Sequence, residues 1–126
     1  MRVKIDDLSA QIDLELEQYS DEVRKGLQRT VTRVSGQLIK QLRETSPKKS
    51  GAYAKGWAKK EDKAPGTPSA IVYNRDRGWL AHLLENGHAK AGGGRVEAKP
   101  HIRPAAKAAE EEFVKDVEKM LREVSS

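Results

Sequence analysis

The chain has 126 residues and a formal net charge of +5, with 37% hydrophobic, 34% charged and only 5% aromatic residues, a composition that suits one domain with a lean core. It contains no cysteine, which excludes a disulfide framework and thiolate metal ligation. No apolar run approaches the roughly 20 residues of a membrane span, and the first residues lack the apolar stretch of a signal peptide, so a soluble protein made in a reducing cytosol is expected.

Residues 1–46 read as helix. Ile5, Leu8, Ile12, Leu16, Tyr19, Val23, Leu27, Val31, Val34, Leu38 and Leu42 follow one another at steps of three or four, which stacks them on one face. A single helix from Asp7 to Thr45 would run roughly 58 Å at 1.5 Å per residue. Ser20, followed by Asp21 and Glu22, is a candidate N-cap and the point where such a rod would bend into two helices. The run stops at Ser46-Pro47, because the residue before a proline is pushed out of the helical region.

Residues 47–100 form a basic, β-rich segment. Pro47 and Gly51 punctuate its start, and the pattern from Ala54 to Lys60 suits a short strand around Trp57. Pro65, Gly66 and Pro68 mark a turn. Ser69 to Asn74, with Ile71, Val72 and Tyr73, is the best strand candidate. A short helix over 79–86 follows, expected to bury Trp79, Leu80, Leu83 and Leu84, with His82 and Glu85 as its polar edge and Gly87 as its stop. Gly92, Gly93, Gly94 and Arg95 read as a flexible loop that orders against a partner, and Val96 to Ala98 as a brief strand. Residues 101–126 form the last helix, with Pro104 in its first turn and a stripe of Ala109, Phe113, Val117, Met120, Leu121 and Val124. The order of helix, short strands with a small helix among them, then helix is an α+β fold in one domain spanning 1–126.

Charge is unevenly placed. Residues 1–46 balance 8 basic against 8 acidic groups, residues 47–109 hold 13 against 5, and residues 110–126 hold 3 against 6. Lys48, Lys49, Lys55, Lys59, Lys60 and Lys63 form a basic stretch with Tyr53 and Trp57 interleaved. Aromatics among lysines can stack bases, but alternation suits a core-facing strand equally well. The residues favour Trp57 in the core, with the lysines on an open face that could meet a phosphate backbone or an acidic protein surface. A small nucleic-acid-binding protein using residues 48–63 is therefore the alternative function.

The candidate chemistry is sparse. His82, Glu85 and His88 are the metal candidates, with His101 as a loop-borne addition, which would make a metal-dependent hydrolase. The two histidines are six apart rather than four, and Asn86-Gly87 ends the helix between them, so the spacing is not that of H-E-x-x-H. A buried short helix with a polar edge fits better. "GAYAKGW" lacks the Lys-Ser/Thr of a P-loop, "AGGGR" does not open a helix after a strand, and no serine sits in a nucleophile elbow. Neither an enzyme nor a cofactor is expected.

In order, "TSPKKSGAYAKGW", "HLLENGHA", "GGGRV" and "PHIRPA", set between a long amphipathic helix and a closing helix, resemble the HK97 gp10-like family of small neck or tail-component proteins of long-tailed bacteriophages and prophages. The resemblance covers roughly residues 5 to 122. Thr45-Ser46-Pro47 carries one residue more than the simplest Thr-Pro form, and Ser50 stands where threonine is common. The resemblance implies long helices on a small antiparallel sheet. It also implies a structural virion role at the head–tail interface as a neck, connector or tail-completion component. Copies would form a homo-oligomeric ring that meets connector, head-completion and tail proteins, with contact to packaged DNA possible and none to membrane. The location implied is the virion neck, and the host cytoplasm during assembly. On this reading Lys48, Lys49, Lys55, Lys59, Lys60 and Gly92 to Arg95 are assembly candidates. Pro47, Gly51, Trp57, Trp79, Leu84, Gly87 and Pro104 are expected to be structural.

Overall fold

A computed structural model describes residues 21–48, 51–62 and 68–125. Two long helices frame it. Helix α1 (Asp21–Thr45) opens on Asp21 and Glu22 and closes with Arg43 in its last turn, each charge opposite in sign to the helix terminus it sits on. Its stripe of Val23, Leu27, Val31, Val34, Leu38 and Leu42 is buried throughout. The last helix, α4 (Ile102–Ser125), lies antiparallel beside it and supplies Ala105, Ala109, Phe113 and Val117 to the same core. The pairing is close because Gly26 has no side chain: a Cβ there would stand 2.5 Å from the Met120 sulfur. Arg33 pins the middle of the pair from outside, bonding Glu112 at 3.3 Å and also Asp116.

The sheet portion fills the other side of α1. A single helical turn, α2 (Ala52–Lys55), leads into β1 (Trp57–Asp62), which pairs antiparallel with β2 (Ser69–Asn74), Trp57 opposite Asn74 and Asp62 opposite Ser69. Strand alternation decides what each residue meets. Trp57, Lys59 and Glu61 turn toward α1, whereas Lys60 and Asp62 are exposed. On β2, Ala70, Val72 and Asn74 are buried. Helix α3 (Gly78–Asn86) then inserts before a second antiparallel pair, β3 (His88–Ala89) with β4 (Arg95–Val96). The result is α+β, with long helices, two small antiparallel pairs and a short helix between them.

Several local expectations change. The strand around Trp57 starts at Trp57, three residues later than the pattern suggests, because Ala52–Lys55 form a turn that Gly56 closes onto the Tyr53 carbonyl. That turn carries the adjacent Tyr53 and Ala54 inward together, where a continuous strand would have to alternate. Gly51 enters it at φ +81°, a left-handed backbone that other residues rarely adopt. The strand expected over Val96–Ala98 is Arg95–Val96. In α3 the inward face is Ala81 and Glu85, one turn apart, flanked by half-buried Leu80 and Leu84. Trp79 sits in the first turn and is 63% exposed, so it is not the buried anchor that its chemistry suggested. The expected bend at Ser20, the helix before it, Lys49, Lys63 and Val124's packing lie outside what the structure describes.

Candidate functional site

Glu85 is the centre of the most concentrated polar chemistry among the described residues. It stands at the inner face of α3 and is only 4% exposed. One carboxylate oxygen accepts from the backbone N–H of His101 at 2.8 Å and of Ile102 at 2.9 Å; the other accepts from Arg103 N–H at 2.9 Å. These are the opening N–H groups of α4, the donors a helix start leaves unpaired. His101, the residue just before the helix, has no side-chain oxygen to cap them, and Glu85 does so from a different element. Burial by itself would raise the Glu85 pKa, but the three backbone donors and the nearby His101 ring outweigh it and hold the carboxyl below its ordinary value.

His101 extends this cap into the core. Its Nδ1 lies 2.7 Å from the Lys99 carbonyl and 3.2 Å from Glu85 Oε1, both acceptors, so Nδ1 carries the proton. Nε2 is then free to accept from the Tyr53 hydroxyl at 2.6 Å. Burial, and the negative charge on Glu85, push the Tyr53 pKa well above that of a free phenol. The Tyr53 and Trp57 rings meet edge-on with centroids 5.5 Å apart, and His101 packs edge-on against both. Trp57 donates its indole N–H to Ser46 Oγ at 2.8 Å, and Ser46 bonds back to the Leu42 carbonyl at the end of α1. Arg43 reaches the Trp57 carbonyl at 3.0 Å. Asn74 donates to the Tyr53 carbonyl at 2.7 Å and accepts from Arg77 N–H at 2.9 Å. Gly56 makes room for it, since a Cβ there would stand 2.6 Å from Asn74 Oδ1.

The segments that carried the family resemblance therefore converge. Ser46 and Trp57 come from "TSPKKSGAYAKGW", Glu85 from "HLLENGHA" and His101 from "PHIRPA", joined in one buried bracket. Gly87 belongs to it too. At φ +75° its missing Cβ would stand 2.6 Å from the Val96 oxygen and 2.9 Å from Ala98 N, so only glycine lets β3 leave α3 this closely. Lys99 N–H closes the same junction by donating to the Leu84 carbonyl at 2.7 Å.

The metal candidates do not come together. Both Glu85 oxygens are occupied by α4, His82 is exposed, and His88 lies beyond Gly87 on β3 with its Nδ1 buried and unpaired. Among the described residues no group of three or more His, Asp or Glu side chains is placed to hold a metal ion, and no helix is long and apolar enough to cross a membrane. The lysines divide. Lys59 is tied to α1, bonding the Thr32 carbonyl at 3.1 Å and Ser35 Oγ at 3.0 Å, and pairs with Glu61 at 3.2 Å. Lys48, Lys55 and Lys60 are exposed, and Lys48 reaches only the Glu44 carbonyl. Gly92 to Gly94 form the exposed tip of the second hairpin, with Gly93 at φ +97° and Gly94 at φ +80°, and Arg95 beside it bonds the Asn86 carbonyl.

Sequence reasoning missed Tyr53, Ser46, Asn74 and His101 as one network, and gave Glu85 the wrong surroundings. One signal was present. "KPHIRP" opens a helix with no Ser, Thr, Asp or Asn before it, so its N–H groups needed a cap from elsewhere.

No curated protein and no solved structure matches the chain. Residues 10–87, which take in α1 through α3, match the family described as "Bacteriophage HK97-gp10, putative tail-component". That stretch is more than half of the sequence, and the chain belongs to the HK97 gp10-like family of bacteriophage tail components.

Proposed function

We propose that this chain is a structural virion protein of the head–tail interface, a neck or tail-completion subunit that works as a single domain by assembling into a ring and binding neighbouring phage proteins. It performs no catalysis and takes no cofactor. The observation that supports this reading is the use to which the family's segments are put. Glu85, His101, Tyr53, Trp57 and Ser46 are buried, and each directs its polar atoms at another element of the same chain. Such an arrangement fixes the geometry of the subunit. The lean core and the exposed Trp79 suit a subunit that buries further surface between copies.

Deleting the gene from its parent phage or prophage and imaging the induced lysate by negative-stain electron microscopy tests the reading. Filled heads lying beside separate, finished tails are expected. Normal infectious particles would overturn the assignment.

A further inference from the structure

Two surfaces of the described chain present side chains that its own packing leaves largely uncovered, and they are opposite in charge. One is the turn into α3. Trp79 is the large apolar side chain that stays exposed, and it follows Arg75 and Arg77, which are exposed as well. Arg75 meets Asp76 within the turn at 3.8 Å, which leaves the turn net positive through Arg77. The other surface is the outward side of α4. There Val114 lies in a shallow, open hollow bordered by Glu110, Glu111, Lys115 and Glu118. Glu112 and Asp116 are engaged by Arg33, and the hollow itself is bordered by three carboxylates and one lysine.

We propose that Trp79 of one copy seats on the Val114 hollow of the next, with Arg75 and Arg77 meeting the carboxylates around it. The inference rests on the ring reading above and gives that ring an interface. An indole covers an apolar floor and tolerates a polar rim, and the flanking arginines match the acidic walls in sign. The same polarity runs along the chain from residue 47 on, with 13 basic against 5 acidic groups in residues 47–109 and 3 against 6 in residues 110–126. The two surfaces are different patches, so the contact is head-to-tail, and a head-to-tail contact that closes on itself makes a ring.

The absence of cysteine makes a cross-linking test clean. Gly78 is exposed, with nothing within 4 Å of where its Cβ would stand, and Lys115 is exposed at the hollow's rim. Particles of the parent phage carrying both Gly78→Cys and Lys115→Cys, treated with a short bismaleimide, should show the chain as a ladder of dimers and higher multiples on a denaturing gel. Either substitution alone should leave a single-chain band. Arg77→Glu should abolish incorporation of the chain into particles, and adding Glu111→Arg should restore it. A chain that is incorporated yet never forms the ladder, with Trp79→Ala particles assembling normally, overturns the interface and leaves the virion role standing. A chain absent from unmodified particles overturns both. Arg77→Glu particles that keep the chain but lose DNA would overturn the interface and assign the arginines to packaged DNA.

Discussion

Replacing Glu85 by alanine removes the acceptor for three N–H groups at the start of α4. Two of them belong to buried residues, His101 and Ile102, whereas Arg103 is exposed and water can take the place of the carboxylate. A buried donor left unpaired costs about 1–3 kcal/mol, so the two together cost about 2–6 kcal/mol. Loss of the negative charge at the helix N-terminus adds up to about 1 kcal/mol. The expected destabilisation is about 4 kcal/mol, a large part of the roughly 5–15 kcal/mol that holds a domain folded. Glu85→Gln separates charge from shape. Its oxygen still accepts, but its amide faces the Arg103 N–H donor to donor, and about 2 kcal/mol is expected. Chemical denaturation followed by far-ultraviolet circular dichroism measures both. The pH dependence adds a second reading. The folded-state pKa of Glu85 lies below its unfolded value of about 4.3. Its contribution is therefore complete above that value and disappears as pH falls through the folded value. The acid limb of the stability curve should be shallower in the glutamine variant. An alanine variant within about 1 kcal/mol of the parent would refute the capping role.

Tyr53 acts at the opposite end of the pH scale. Its folded pKa is raised by burial, so above the unfolded value of about 10 the unfolded chain ionises first, and stability that is full below that value falls as pH rises. Tyr53→Phe should flatten this alkaline limb, and at neutral pH it should cost about 1–2 kcal/mol for the lost bond to His101; thermal melts across pH 7 to 11 would show both. Gly87→Ala meets two backbone atoms as well as a left-handed φ, and should lower stability by about 2 kcal/mol or more in the same melts. The two tryptophans should behave oppositely under denaturation. Trp57→Ala, at 1% exposure, should cost about 3–5 kcal/mol. Trp79→Ala, at 63% exposure, should stay within about 0.5 kcal/mol of the parent.

The helices were legible because their signal is local. Steps of three and four alone place Val23, Leu27, Val31, Val34, Leu38 and Leu42 on one face, and each of those residues is buried. The strand Ser69–Asn74 was legible for the same reason, through its β-branched centre between turn residues. Misreadings occurred where long-range partners decide. The turn over Ala52–Lys55 is not legible, because the small residues and glycines around Tyr53 carry no strong helical period, and the Tyr53 hydroxyl is fixed by His101, 48 positions away. In sequence Glu85 reads as a polar edge, because carboxylates are rarely buried unpaired. Its partners are backbone groups 16 to 18 residues further on, which no side-chain pattern displays. Trp79 reads as buried from its size alone, and the first turn of a nine-residue helix gives it no inward position.

The bracket also bears on the proposed contact between copies. That contact would use the turn at the start of α3 on one side and the outer face of α4 on the other, so the angle between α3 and α4 within each subunit would set the curvature of the assembly. Directional bonds between α3 and the start of α4 fix that angle alongside the apolar packing of Leu80, Ala81 and Leu84. The Glu85 cap joins the two helices, Arg103 adds a bond from its guanidinium to the Asn86 side-chain oxygen at 2.5 Å, and Lys99 N–H holds the connecting segment to Leu84. An apolar residue at position 85 could fill the space but would not hold one orientation, because apolar contacts lack the direction that three converging N–H donors impose. A buried carboxylate at this junction therefore makes sense as a device for geometry more than for net stability. On that argument Glu85→Gln, which keeps most of the shape and loses much of the direction, should disturb assembly in particles more than its loss of stability alone would explain.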